Sequence, residues 1–386
     1  MALPHFRLPA RLPTIALLAA LAACTRSEPP AIRIALLAVT DGPMAASSGQ
    51  PSIEGAQLAE EEINAAGGVV IDGRKRRVQI LLKSYADRPD AASSAAREAI
   101  NIDRADALVG PQLSSHAISA ATVAETASIP MISPMASGVD VTAGKHFVFR
   151  LAFIDSTQGA ILARFAVDSM RVRRPAVLYD AASGYGQGIT KLFTSTAAAR
   201  GVTVVGTETF VTDGGFDFRP QLRRLLAKNP DALLLPNFAQ QDSFQVRQAR
   251  ELGFRGRFLG TDRWDPVSLG KIPEVNGTIV VSNWSVKSDR KESRDFVDRF
   301  QRRFGHVPRS TAAATYDAVH LLAASARRAN SIAGAEVAHA IGATASFAGA
   351  LAEYRFHGTG DPDRNGMLLM IAGGRDSLIY SPGAPR

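Results

Sequence analysis

Cysteine is almost absent from this chain: there is one, Cys24, among 386 residues. A lone thiol closes no intramolecular disulfide, so the fold has to be held by its apolar core. Aromatic residues are sparse at 7%, and they are not interleaved with basic residues as single-strand nucleic-acid binding requires. Acids, 36 of them, are outnumbered by 44 lysines and arginines, for a formal charge of +8. The bases are spread along amphipathic helices (Arg223, Arg224, Arg247, Arg250, Arg299, Arg302, Arg303). The one tight run, Arg74-Lys75-Arg76-Arg77, lies between strand-like pieces and reads as a solvated hairpin turn, so nucleic acid is not an expected partner. No apolar run, the short N-terminal one included, is long enough to span a bilayer. Catalytic signatures are missing as well: there is no G-x-x-x-x-G-K, no H-E-x-x-H and no G-x-S-x-G. Gly184-Tyr185-Gly186-Gln187-Gly188 is rich in glycine, but Ile189 stands where a dinucleotide fingerprint needs another. The seven histidines show no metal spacing. His116, two residues after Ser114, reads as a surface or capping residue rather than a base. No cofactor, no metal and no catalysis are expected, with an α/β enzyme as the less favoured alternative.

What the chain does contain starts at its N-terminus. Arg7 and Arg11 precede the apolar run Ile15 to Ala20, and the polar tether Thr25 to Pro30 follows. A basic head and a short apolar core are the marks of an export signal. Leu21-Ala22-Ala23-Cys24 resembles the lipobox of bacterial lipoproteins, in which the cysteine carries the lipid. Residues 1–30 are therefore expected to be a signal peptide with lipobox and tether. Cys24 would be lipidated, and the protein exported and anchored at the periplasmic face of a bacterial membrane. The alternative is an ordinary secretory signal that contains a cysteine.

From Ile32 onward, short apolar runs alternate with amphipathic helices. Ile32–Leu37 reads as a buried first strand, Thr40–Gly49 as its exit loop, and Ser52 to about Ala66 as a helix closed by Gly67-Gly68. Val78–Leu82, a helix from Asp90 to about Arg104, and the strands Ala107–Val109 and Ile129–Ile132 continue the pattern. It restarts from Phe147. Strands are expected at Pro175–Tyr179, Val202–Gly206, Asp231–Pro236, Arg257–Gly260 and Gly277–Val281. Helices are expected up to Arg200 and over Phe218–Lys228, Asp242–Leu252, Asp289–Phe304 and Thr311–Asn330. Leu351–Phe356 and Met367–Ile371 read as a β-hairpin. This alternation predicts parallel sheets built from βαβ units, and its length predicts an α/β fold of two similar, Rossmann-like lobes.

Ligands of open α/β sheets bind beyond the carboxyl ends of the strands, where helix N-termini favour anions. Ala107–Val109 ends in Gly110-Pro111-Gln112-Leu113-Ser114-Ser115, with Ser115 as the candidate N-cap, and Ile129–Ile132 ends in Ser133-Pro134-Met135-Ala136-Ser137-Gly138. The same edge receives Tyr185, Phe238 and Asp262 from the second half. An amino acid presents a carboxylate and an ammonium about 3 Å apart, the scale of direct charge-assisted contacts. Backbone N–H groups at Ser115 and Ser137 with the Ser114 hydroxyl suit the carboxylate, and Asp262 suits the ammonium. The alternatives are serines that only cap helices and fill turns, and an Asp262 that caps a helix beginning near Pro266.

Several motifs give the chain a specific resemblance. They are Asp41-Gly42-Pro43, Ile63-Asn64-Ala65-Ala66-Gly67-Gly68-Val69, Leu108 to Ser115, Ile129-Pro130-Met131-Ile132-Ser133-Pro134, Tyr185-Gly186-Gln187-Gly188, Arg247 to Gly253 and Thr315-Tyr316-Asp317-Ala318. From Ile32 to Tyr380 the sequence resembles the extracytoplasmic solute-binding proteins of branched-chain amino-acid ABC transporters, which have the type I periplasmic-binding fold. The resemblance implies a ligand cleft between lobes joined by a three-strand hinge. One lobe would comprise residues 31–149 with 281–352, the other 150–280 with 353–386. It assigns Ser114 to the α-carboxylate, the Met135 carbonyl to the ammonium, and Ser137 to both. Tyr185 and Phe238 become aromatic walls, and Asp262 stands where glutamate usually holds the ammonium. Ser48 replaces a frequent tyrosine, leaving room or adding polarity in the pocket. A monomer is implied that delivers an amino acid or small carboxylate to ABC permease subunits, with a ligand-sensing co-receptor of the same fold as the alternative.

Overall fold

The computed structural model describes Met1 and residues 30–380, except 43, 212–214, 238, 265–268, 270–271, 365 and 373–374. Cys24 and Phe238 thus lie outside the described residues. Two sheets organise the chain. The first has the order β4-β1-β5-β6-β7, built from β1 (Ile32–Val39), β4 (Val78–Tyr85), β5 (Ala107–Val109), β6 (Met131–Ser133) and β7 (Val148–Arg150), all parallel. The second has the order β16-β15-β12-β11-β10-β8-β9. Its parallel part is β8 (Pro175–Asp180), β9 (Gly206–Phe210), β10 (Ala232–Leu234), β11 (Arg257–Gly260) and β12 (Thr278–Ser282). β15 (Met367–Ala372) and β16 (Arg375–Tyr380) complete it antiparallel. Small hairpins join β2 (Val69–Ile71) to β3 (Arg74–Arg76) and β13 (Phe347–Ala348) to β14 (Glu353–Tyr354).

Period-two alternation makes each central strand serve two cores. Ile32, Ile34, Leu36 and Ala38 face one apolar cluster of the first sheet, while Ala35, Leu37 and Val39 face the other. In the second sheet Leu233 and Leu235 face one side and Ala232 and Leu234 the opposite one. Being buried on both faces, such strands are near-continuous apolar runs. Helices α1 (Gln50–Ala65), α2 (Pro89–Asn101) and α3 (Ser114–Ala127) flank the first sheet, joined there by α8 (Lys291–Phe304), α9 (Ser310–Ala329) and α10 (Gly334–Gly342). Helices α4 (Asp155–Asp168), α5 (Gly184–Ala198), α6 (Arg219–Leu226) and α7 (Ala239–Glu251) flank the second. α1 and α9 approach so closely that a Cβ on Gly55 would sit 2.2 Å from the Ala312 carbonyl oxygen. In the Thr315-Tyr316-Asp317-Ala318 motif, the buried Asp317 accepts the N–H groups of Ala350 (2.6 Å) and Leu351 (2.8 Å) and the Tyr354 hydroxyl (2.8 Å).

The chain passes between the two cores three times. Leu151 belongs to the first and Phe153 to the second; Val281 belongs to the second and Trp284 to the first; Phe356 belongs to the first and Met367 to the second. Arg150 and Leu151 therefore lie with the first sheet, Val281 with the second and Tyr354 with the first, against the boundaries at 150, 281 and 353 drawn from the resemblance.

Several elements differ from expectation. The strand expected at Val202–Gly206 is Gly206–Phe210. It is the edge strand of its sheet, so the polar Thr207, Glu208 and Thr209 are tolerated on a half-solvated ribbon and the apolar signal points too early. Leu351–Phe356 and Met367–Ile371 do not pair. Glu353–Tyr354 pairs with Phe347–Ala348, and Met367–Ala372 lies between β12 and β16. The basic run Arg74–Arg76 is the second strand of its hairpin, turned at Asp72-Gly73, rather than the turn itself. No helix among the described residues is long and apolar enough to cross a membrane.

Candidate functional site

At the carboxyl end of β1 the chain folds into a π-helical turn, Ala45–Gly49, which places Ser48 in a buried position. A Cβ on Gly49 would lie 1.7 Å from the Val39 carbonyl oxygen, so only glycine permits this turn to close on the strand. The Ser48 carbonyl accepts the Ser52 hydroxyl at 2.7 Å. After β5, Gln112 donates from Nε2 to Ser52 Oγ (2.8 Å) and Thr315 Oγ1 (3.2 Å), tying this loop to α1 and α9.

Ser114 and Ser115 are the first two residues of α3. Leu113, in extended conformation and without a side-chain cap, holds the N-cap position assigned above to Ser115. The first intrahelical bond runs from the Ala117 N–H to the Leu113 carbonyl (2.8 Å). The N–H groups of Ser114, Ser115 and His116 therefore precede the helical ladder and point toward its N-terminal end. Ser114 Oγ accepts the Gly138 N–H at 3.1 Å and keeps its own proton for donation. Ser115 is exposed, and Met135 is half-buried against the first core.

Ser137 is fully buried. Its hydroxyl sits against the Asp155 carboxyl, close enough to favour ionisation of that acid but outside hydrogen-bonding geometry. Its carbonyl accepts the Asp155 N–H at 3.2 Å. The loop carrying Ser137 is clamped by the buried Arg150. That guanidinium donates to the carbonyls of Gly138 (2.7 Å) and Val139 (3.2 Å), to Thr142 Oγ1 (2.6 Å), and to Asp361 (2.6 Å).

In the loop after β11 the acid at position 262 is locked in place. Asp262 Oδ1 accepts Tyr185 Oη–H (2.7 Å) and Gln158 Nε2–H (2.9 Å), and Oδ2 accepts Asn283 Nδ2–H (3.1 Å). The Asp262 N–H returns a bond to Gln158 Oε1 at 3.1 Å. Arg263 lies over the Tyr185 ring at 5.0 Å. Burial and the neighbouring Asp262 anion raise the Tyr185 pKa, so its hydroxyl stays a donor. Asp155, at the start of α4, is pushed up to about 6, first by burial and then by Asp262; Ser137, Arg263 and Arg150 oppose the rise. Several buried atoms here, among them Ser137 Oγ, Thr261 Oγ1, Gln112 Oε1 and Asn283 Oδ1, have no hydrogen-bond partner among the described residues. Buried polar groups are ordinarily satisfied, so these atoms, grouped near the Asp262 carboxylate, are the ones here that lack a polar partner.

Sequence reasoning passed over Asp155, Gln158, Asn283, Arg150 and Gln112. Asn283 has a partial signal, since it follows an apolar strand directly. Among the described residues no group of His, Cys, Asp and Glu is placed to hold a metal ion. A groove of ≈ 540 Å³ lined by Lys145, His146, Phe149, His339, Phe356 and His357 lies at the opposite, amino-terminal edge of the first sheet, away from these strand ends.

A family model described as periplasmic binding protein matches residues 31–375. A Leu/Ile/Val-binding protein of Citrobacter freundii is 29% identical over 244 residues; the match covers 62% of this chain and spans 64% of that relative's length. Among solved structures, a leucine binding protein from Thermotoga maritima has a TM-score of 0.80 at 28% identity, covering 90% of this chain and 98% of that one. A branched-chain amino acid transporter substrate binding protein from Streptococcus pneumoniae, solved in complex with isoleucine, gives 0.80 at 27% with the same coverage.

Proposed function

We propose, on the premise that this chain belongs to the periplasmic binding protein family, that it binds an amino acid or related small carboxylate between its two sheets and delivers it to an ABC import permease. The type I periplasmic binding fold comes with that membership. The observation that carries the reading is the acid Asp262, immobilised by Gln158, Tyr185 and Asn283 beside the orphaned Ser137 Oγ and Asn283 Oδ1. A zwitterion answers both halves of this arrangement. Its carboxylate takes the Ser114 hydroxyl and the free N–H groups at the start of α3, which favour an anion. Its ammonium takes Asp262 and the Met135 carbonyl. Tyr185 forms a wall, and Ser48 leaves space for a ligand side chain.

The lobes are proposed to comprise residues 31 to about 151 with 283 to 356, and the remainder. Ligand closure between them shifts a hinge equilibrium toward the form that a permease recognises. The family is one of binding proteins rather than enzymes, and the absence of catalysis in this chain belongs to the proposal. Export follows from the family; lipid attachment at Cys24 and a monomeric state are proposed.

A thermal-shift screen over amino acids and small organic acids tests the reading, since a ligand that favours the folded form stabilises it by about 2.7 kcal/mol at a hundredfold excess over Kd. A subset of α-amino acids is expected to raise the melting temperature. Equal shifts from amine-free carboxylates, or none from any amino acid, would overturn it.

A further inference from the structure

One buried guanidinium touches all three passages between the cores. Arg364, in the third passage, donates from Nη1 to the Leu151 carbonyl (2.8 Å) in the first and from Nη2 to the Asn283 carbonyl (2.9 Å) in the second. It is 7% exposed, and it lies 5.5 Å from the Phe153 ring of the second core and 5.7 Å from the Tyr354 ring of the first. Asn283 is 3% exposed. With its backbone held by Arg364, it extends Nδ2 to Asp262 Oδ2. That donation fixes the orientation of its amide, because the opposite flip would set oxygen against carboxylate oxygen. Asn283 Oδ1 is thereby left as a buried acceptor without a partner among the described residues.

We propose that Asn283 is a ligand-contacting residue on the hinge, its Oδ1 accepting a ligand ammonium beside Asp262, and that Arg364 is the positioning residue that holds it there. This rests on the amino-acid reading of the site. Lobe rotation is absorbed by φ/ψ changes in the connecting strands. A fork that grips two of those strands from the third makes them turn together, and the strand it grips at Asn283 is the one that would read the ligand. Capture of the ammonium and the setting of the hinge are then one event. Lysine cannot replace the fork, because a single ammonium does not reproduce two divergent N–H donations from a planar group.

The test uses the full chain, with L-leucine and L-threonine as titration probes and amide hydrogen exchange read over residues 282–285. N283A is expected to weaken binding at least tenfold and R364M by a similar factor. The double variant should bind no more weakly than N283A alone, since Arg364 acts through Asn283. R364K should give an intermediate loss and faster exchange at 282–285 than the wild type, and it stands in if R364M does not fold. Binding by N283A within twofold of the wild type, or losses that multiply in the double variant, would overturn the proposal. If neither probe binds the wild type, the amino-acid reading fails with these probes and the exchange arm decides alone: unchanged exchange in R364K overturns the role of Arg364, and accelerated exchange supports it.

Discussion

Replacing Asp262 by asparagine removes one negative charge while leaving the shape of the site nearly intact. The new Oδ1 still accepts from Tyr185 and Gln158, whose donors lie 2.7 and 2.9 Å from the native oxygen. The new Nδ2 meets the Asn283 amide donor in place of the native 3.1 Å bond. What the ligand loses is a charged partner for its ammonium. Hydrogen bonds to charged groups contribute about 1.5–3 kcal/mol, and truncating one side of a desolvated charge pair costs about 2–5 kcal/mol. Asp262 is half-buried and already accepts three hydrogen bonds, which places the loss near the lower end of that range, about 2–3 kcal/mol. At about 1.4 kcal/mol per decade this is roughly 30- to 150-fold in Kd. Isothermal titration at neutral pH with the best amino acid from the screen measures it, with melting curves to separate binding from folding. The exposed Asp41, in the loop after β1, supplies the control: D41A should stay within twofold of the wild type. An amine-free analogue of the ligand should bind D262N no worse than it binds the wild type. Equal losses in D262N and D41A, or binding by D262N within threefold of the wild type, would refute the assignment of the ammonium to Asp262.

Asp155 has a folded-state pKa of about 6 against an ordinary 3.8, so the folded protein holds that proton more tightly than the unfolded chain. Its contribution to stability is full below about 4 and is lost as pH rises through 6. D155N should therefore be more stable than the wild type at pH 8, by about 2–3 kcal/mol, with the gain shrinking toward zero at pH 4; a pH-independent difference in denaturation midpoints would contradict this. D317A strips three buried donors of their acceptor and should cost at least about 3 kcal/mol in urea unfolding, whereas a loss below about 1 kcal/mol would show that the Ala350–Tyr354 return does not depend on it. C24S expressed in a lipoprotein-processing bacterium should lose both the lipid mass increment and membrane sedimentation; retention of the increment would place the lipid elsewhere.

Where local pattern decides the structure, the residues announce it. The two-sided burial of Ile32–Val39 and the position of Ser114 and Ser137 just past the ends of β5 and β6 follow from strand periodicity and from the apolar runs that precede them. The placement of Ser115 as N-cap is off by two residues, because the extended Leu113 opens the helix without a side-chain cap. Helix α4 carries little sequence signal, since it starts Asp155-Ser-Thr-Gln-Gly, a run of mostly weak helix formers, and is held by packing on α5: a Cβ on Gly159 would meet the Ile189 carbonyl oxygen at 2.3 Å. Asn283 and Gln158 reach Asp262 from 21 and 104 residues away. Such meetings depend on how three connecting strands return between two sheets, and no local spacing encodes them.

The central claim is tested most directly by a crystal structure with a bound amino acid. The account predicts the ligand nitrogen within hydrogen-bond reach of Asp262 and Asn283, and its carboxylate at Ser114 and the start of α3. A ligand bound in the reverse orientation, or seated away from Asp262, would contradict it.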